Sequence, residues 1–240
     1  MRLEERRLLK GGLVLGAVGA SVPIVYLSFL VVFGFAQAPR PEAETAPVPP
    51  LIMDALWARA EGGRASEMRA INPVNMVGYA LCAERKRQDC DTWLPALRGI
   101  EYLASLHLKD HNVDRNSFRG GAGAMANTMW MTRTWTREEF LKTLAARADF
   151  GYGWRGVNAA AAGFFARPAA DLTLPQAAFL ASRVGNLSIN PWCEVDAAVA
   201  VRDRVLEQLR NNGAISDTHY EDASGMPLGL VAAPAGHRCA

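Results

Sequence analysis

Residues 150–192 read Phe150-Gly151-Tyr152-Gly153-Trp154-Arg155-Gly156 followed by VNAAAAGFFARPAADLTLPQAAFLASRVGNLSINPW, and this stretch decides the fold. Gly151, Gly153 and Gly156 give its opening turn access to positive φ and to close backbone approach. Ala159 to Ala162 predict a helix that packs tightly on a neighbour before it runs into Phe164-Phe165. Thr173 and Gln176 stand at capping-box spacing, where a hydroxyl and a side-chain acceptor satisfy the first amides of the next helix.

Outward from this stretch the pattern stays helical. Downstream, Asp196 to Leu209 reads as a helix stopped by Asn211-Asn212-Gly213, and a short helix follows Ser216. Upstream, Thr136 and Glu139 form a second capping box. Between Trp93 and Leu108 an apolar stripe of Leu94, Leu97, Ile100, Leu103 and Leu106 predicts a core-facing helix, and Pro73 to Glu84 predicts another. Leu51, Ile52, Ala55 and Leu56 recur at helical spacing in a run that ends at Gly62-Gly63, which puts Glu61 at a helix C-terminus. Strand signals are few, so the fold class is mainly α.

The chain has 240 residues and a formal net charge of +2, too small a charge to argue for nucleic acid. Gly11 to Ala36 carries no Asp, Glu, Lys, Arg or His and is long enough to cross the roughly 30 Å of bilayer hydrocarbon, which predicts a transmembrane helix. Arg2, Arg6, Arg7 and Lys10 precede it and only Arg40 follows closely, so the positive-inside rule places residues 1–10 in the cytoplasm and the rest outside. A cleaved signal peptide, with Ala36-Gln37-Ala38 as its small-residue site, is the rival reading. Residues 37–50, with five prolines, read as a spacer, 51–225 as the globular domain and 226–240 as a tail. Cys82, Cys90, Cys193 and Cys239 follow the apolar run, where an oxidising compartment allows three pairings. Cys82 with Cys90 would close a short loop and Cys193 with Cys239 would tie down the tail; buried free thiols are the alternative. No metal-ligand spacing is present.

The stretch from Phe150 resembles the C-terminal half of the peptidoglycan glycosyltransferases, glycosyltransferase family 51: the Phe-Gly-x-Gly turn, the Ala-rich helix, Ala170 to Leu174, and the Asn190-Pro191-Trp192 step. Arg202 to Leu209, Gly213, Ile215 and Tyr220 match the helix-turn-helix that closes that domain. The resemblance implies a lysozyme-like transglycosylase domain behind the membrane helix, periplasmic at a bacterial inner membrane, with lipid-linked peptidoglycan precursor or glycan strands and cell-wall synthesis proteins as partners. A divalent metal is the one cofactor it brings into view.

The family's first motif, Glu-Asp-x-x-Phe-x-x-His-x-Gly-x-Asp-Pro, is colinear with Glu61 to Pro73, where Gly62, Ala65, Met68, Ala70 and Asn72 replace five of its residues. Glu61 inherits the family's general-base role, removing a proton from the acceptor hydroxyl as a lipid pyrophosphate leaves. The second motif, Gly-Gly-Ser-Thr-x-Thr-Gln-Gln, falls on Gly120 to Asn127 and keeps only its glycine pair. The third, Arg-Lys-x-x-Glu, which supplies a second carboxylate and pyrophosphate-facing cations, has no counterpart between Trp130 and Thr136. In the fourth, Lys142 and Ala146 stand where Glu and Asn would be. By resemblance, Gly120, Gly121, Asn127, Arg133, Phe150, Gly151 and Gly153 are the substrate-binding candidates, and Arg133, Arg137, Lys142 and Arg155 the cations that could replace the missing charge.

Arg119 to Trp135 is also similar to a Gly-Ala-Met stretch of the lytic murein transglycosylases, which act with one catalytic Glu, a role Glu61 could fill. Three functions follow: a working glycosyltransferase, a noncatalytic relative that binds glycan or a cell-wall partner, and a lytic enzyme.

Overall fold

A computed structural model describes residues 25–26, 28–72, 75, 94–234 and 239. Helices dominate: α1 (Pro50–Arg59), α2 (Leu97–Asp110), α3 (Phe118–Thr134), α4 (Arg137–Arg147), α5 (Val157–Phe165), α6 (Leu174–Arg183), α7 (Val195–Asn211) and α8 (Asp217–Gly225). Among the described residues the one β feature is an isolated antiparallel bridge between Asp149 and Arg155. α1 lies at the centre, packed on α4, α6 and α7, while α2 packs along α3.

Both capping boxes form as expected: the Thr136 amide donates to Glu139 Oε2 at 2.7 Å and the Thr173 amide to Gln176 Oε1 at 3.1 Å. The helix expected from Trp93 starts instead at Leu97, because Ala96 has φ +62, a left-handed conformation that no helix interior tolerates. The stripe Leu94, Leu97, Ile100 and Leu103 is buried, as its spacing requires.

The Phe150 turn folds around its glycines: Gly151, Gly153 and Gly156 have φ of +87, +80 and +82. Phe150 N–H donates to the Trp154 carbonyl and Trp154 N–H to the Gly151 carbonyl, closing the turn at 3.0 and 2.9 Å. Downstream, Tyr152, Trp154, Phe164 and Trp192 form a ring cluster with centroids 4.7–6.3 Å apart. Gly163 belongs to this packing, since a Cβ there would fall 2.3 Å from the Trp154 ring.

The tail binds the same cluster. Trp192 Nε1 donates to the Val231 carbonyl at 2.8 Å, Val231 N–H donates to the Phe164 carbonyl at 2.8 Å, and Cys193 is bonded to Cys239. Arg202 is fully buried beneath the same tail, donating to the carbonyls of Ser224 and Met226 while it pairs with Asp203.

Residues 28–35 are helical and lie on α3. At Gly34 a Cβ would sit 2.2 Å from the Ala122 carbonyl oxygen and 2.8 Å from Ala126 Cβ, so the two helices meet through a notch of small residues. Phe35 meets Trp130 edge-on, and Arg40 lies over that indole at 4.4 Å. The proline-rich segment, read from sequence as a spacer, runs along the body: His107 Nε2 lies 2.7 Å from the Pro39 carbonyl, and Glu44 N–H donates to Thr143 Oγ1 at 2.8 Å. No helix of the described residues is long and apolar enough to cross a membrane. Residues 1–24 and 27, which include most of the predicted transmembrane run, lie outside the described residues, as do Cys82, Cys90 and nearly all of the helix expected from Pro73.

Candidate functional site

α1 ends in an unusual way. Glu61 N–H donates to the Ala58 carbonyl and Gly62 N–H to the Trp57 carbonyl, both at 3.0 Å, the pair of bonds that closes a helix through a left-handed residue. That residue is normally glycine; here it is Glu61, with φ +64. The conformation costs a side-chain-bearing residue on the order of 1 kcal/mol, and such outliers cluster at functional sites. Gly62 follows because nothing larger fits: a Cβ would fall 1.9 Å from the Trp57 ring. Trp57, 3% exposed, is fixed by an Nε1 bond to the Gly63 carbonyl at 3.2 Å and by Arg137 stacked 4.5 Å above it.

Beside this terminus lies a cleft of about 200 Å3, walled by Leu56, Arg59 and Ala60 of α1, by Arg98, Gly99 and Tyr102 of α2, and by Leu144, Val184 and Gly185. Glu61 reaches its rim through an ion pair, with Oε2 3.1 Å from Arg98 Nε. Burial pulls the Arg59 guanidinium below its ordinary pKa, opposed by the charge of Glu61 and reinforced by the repulsion of Arg98 and Arg204. Burial also pushes the Tyr102 phenol up, so it stays protonated at neutral pH. Its oxygen accepts from Asp149 N–H at 3.3 Å, which joins the cleft to the Phe150 turn.

The other expected site residues are spread out. Gly120 and Gly121 lie in the first turn of α3, where Gly120 packs on backbone, a Cβ there meeting the Asp114 carbonyl at 2.1 Å. Asn127 is 1% exposed on the same helix, and neither atom of its amide has a hydrogen-bond partner among the described residues. Arg133 is exposed near the far end of α3. Phe150 is fully buried, Gly151 donates to Asp149 Oδ1 at 2.8 Å, and Gly153 is exposed. None of these lines the cleft, which the Phe150 turn touches only through Tyr102.

Nor are the expected replacement cations gathered there. Arg137 pairs with Asp54, Lys142 with Glu138, and Arg155 joins Arg147 on Asp110, whose carboxyl the two guanidinium groups hold at about 2. The cations at the cleft are Arg59 and Arg98. Arg98 and Tyr102 stand four apart on α2, a spacing that puts them on one face, so this pair was open to a reader of the sequence. The approach of Arg59 to Gly185, from the other side of the fold, was not.

α3 and α4 are joined by Trp135 and Thr136 alone, the C-cap of one helix and the N-cap of the next. There is no segment between them to carry a second carboxylate. As for a divalent ion, no three His, Cys, Asp or Glu side chains converge among the described residues, and Glu61 faces a guanidinium; the described donors do not fit one.

The transglycosylase family model matches residues 103–210, a segment that runs from within α2 to near the end of α7 and starts beyond Glu61. The chain is 31% identical over 101 residues to penicillin-binding protein 1A of Rickettsia typhi, covering 42% of this chain and 13% of that protein. To penicillin-binding protein 1A of Streptococcus pneumoniae it is 25% identical over 158 residues, 55% of this chain and 22% of the relative. The Aquifex aeolicus protein of the same name is 30% identical over 97 residues, 40% and 13%. The chain thus matches under a quarter of the length of these curated relatives. Residues 103–210 are thus similar to the transglycosylase domain of glycosyltransferase family 51, in divergent form.

Proposed function

We propose that this protein is a membrane-anchored, periplasmic relative of the peptidoglycan glycosyltransferases that engages lipid-linked precursor or glycan strands during cell-wall synthesis and has lost polymerising activity. The observation that carries this reading is the direct α3–α4 junction at Trp135-Thr136, which leaves Glu61 without a second carboxylate from the family's third motif. Glycosyl transfer from a lipid pyrophosphate asks for a base at the acceptor and for charge neutralisation at the leaving group. Glu61, held by Arg98, retains the first capacity. In support of this reading, Glu61 pairs with Arg98 at the rim of the cleft between α1 and α2, and the apolar run from Gly11 to Ala36 has the length needed to hold the domain at a membrane surface, where a lipid-linked precursor would lie.

The ion pair also bears on the lytic alternative. A lytic enzyme needs its acid protonated to donate to the glycosidic oxygen, whereas a guanidinium at 3.1 Å favours the carboxylate.

The test gives the full-length protein in detergent, with and without Glu61→Gln, lipid-linked precursor in one arm and murein sacculi in the other. The expected result is co-sedimentation with sacculi and no polymer from either form. Polymer that disappears in Glu61→Gln would show a working glycosyltransferase, and release of anhydro-sugars would show a lytic enzyme; either result overturns the noncatalytic reading.

A further inference from the structure

Helix 28–35 passes into the proline-rich segment, and a histidine seats that segment on the body. His107 of α2 is 4% exposed, and its Nε2 stands 2.7 Å from the Pro39 carbonyl. A carbonyl can only accept, so Nε2 carries the hydrogen and the contact fixes one tautomer of the neutral ring. The other nitrogen, Nδ1, is buried and has no hydrogen-bond partner among the described residues. In the neutral ring it is a bare lone pair. Protonated, it would be a donor with nothing to receive it, on a ring whose new charge is also buried, and that costs more.

The surroundings do not supply the missing acceptor. On α2, His111 lies one turn further on with its ring centroid 4.4 Å away, and its Nδ1 donates to the His107 carbonyl at 2.8 Å. From α4, Arg147 adds a positive charge, and the nearby carboxylate of Asp110 is already shared between Arg147 and Arg155. Arg40, beside Pro39, is turned over the Trp130 indole, and α3 meets the neighbouring Leu108 and Gln37 through Gly123. Burial therefore draws the His107 imidazole below its ordinary pKa; the Pro39 bond and Asp110 oppose it, and repulsion from His111 and Arg147 reinforces it.

From this arrangement we infer that His107 is an acid-sensitive latch: neutral, it clamps the proline-rich segment to α2 at Pro39, and protonated, it releases Pro39, so that the joint between helix 28–35 and the body becomes a hinge. The sign follows from linkage. The seated ring favours the neutral form more than the released ring does, so the clamp is complete above the ordinary histidine value of about 6.5 and weakens as pH falls below it. One such group changes the ratio of released to seated by at most about tenfold per pH unit. The Gly34 notch on α3 and the bond from the Glu44 amide to Thr143 carry no titrating atom, so acid loosens the segment at Pro39 without stripping it from the body. The joint is the one that, in the reading above, ties the domain to its anchor; the latch itself stands without that reading.

The test is hydrogen exchange of the full-length protein in detergent, read by mass spectrometry from about pH 7.5 down to about pH 5.5 and corrected for the intrinsic exchange rate, a range above the ordinary carboxylate values. Peptides covering residues 36–44 should lose protection by about three- to tenfold across it. His107→Gln keeps an N–H donor but has no ionisable ring, and its protection should stay flat; His111→Gln should keep the loss in weaker form. Peptides of α6, remote from the latch, should not respond. Flat protection in wild type, or an undiminished loss in His107→Gln, would overturn the latch. A second measurement needs no change at His107: histidine-selective NMR of the full-length protein, with the His107 ring assigned by elimination through single replacements of the other three histidines. Its ring should titrate below the ordinary value and carry its neutral hydrogen on Nε2, and titration at or above that value would equally overturn the proposal. Neither measurement uses precursor or sacculi, so their failure leaves the proposed function intact, and the reverse holds as well.

Discussion

Replacing Gly62 by alanine should unseat the Trp57 indole and loosen the end of α1 that carries Glu61. The added Cβ would stand 1.9 Å from Trp57 Cε2 and 2.4 Å from Nε1, and the ring it meets is 3% exposed, so the ring must move. Overpacking of this kind costs about 1–3 kcal/mol, and loss of the Nε1 bond to the Gly63 carbonyl adds about 1 kcal/mol. At roughly 2–4 °C per kcal/mol for a domain of this size, the melting temperature should fall by about 4–16 °C. Gly63→Ala is the matched comparison: a Cβ there meets nothing within 4 Å, and only its φ of +60 is unfavourable, so the loss should be about 1 kcal/mol, near 2–4 °C. Thermal unfolding of full-length protein, followed by near-ultraviolet circular dichroism, reports both the stability and the asymmetry around Trp57. If the two variants melt together, or Gly62→Ala keeps the native aromatic spectrum, the close packing of Gly62 on Trp57 is not what shapes this terminus.

Three other outcomes are expected. Asp110, held at about 2 by Arg155 and Arg147, is depressed from its ordinary 3.8, so its contribution is complete above about pH 4 and is lost as pH falls towards 2; solvent screening keeps it near 1 kcal/mol, and Asp110→Asn should flatten that part of an acid-unfolding curve. Reducing Cys193–Cys239, or Cys193→Ser, releases a constraint across a sequence separation of 46 and should cost about 2–4 kcal/mol in denaturant titration, with the midpoint moving and the tail becoming protease-sensitive. Arg202→Met removes a fully buried guanidinium and leaves Asp203 and the Ser224 and Met226 carbonyls without their donor, for a loss of about 3 kcal/mol or more by the same titration.

The parts of the fold legible in the sequence were those with local causes. Thr136 with Glu139 and Thr173 with Gln176 announce helix starts because the capping partners are three residues apart, and the turn at Phe150 announces itself because only glycine enters its φ values cheaply. The start of α2 was misjudged because the left-handed Ala96 carries no sequence signal: alanine is a good helix former, and its conformation answers to tertiary packing, with its amide donating to the Glu61 carbonyl at 3.3 Å. The same applies to the site. Glu61 could be placed from its position before Gly62-Gly63, and its family likeness gave it a role. Arg59 and Gly185 are over a hundred residues apart in the chain, and no spacing rule links them. Composition reads the proline-rich segment as a spacer off the membrane but gives no sign of the contacts that Pro39 and Glu44 make with His107 and Thr143.

The tail's hold on the Phe164–Trp192 cluster has a bearing on how the molecule matures. Val231 satisfies the Trp192 indole and a carbonyl of α5, and Cys239 locks the strap beside them, so these aromatic residues reach their final environment only after both partners have been synthesised. Until then the most aromatic part of the core lacks the acceptor for its indole and the bond that closes beside it. A protease that nicks the strap between Leu230 and Cys239 would send the finished domain back towards that state.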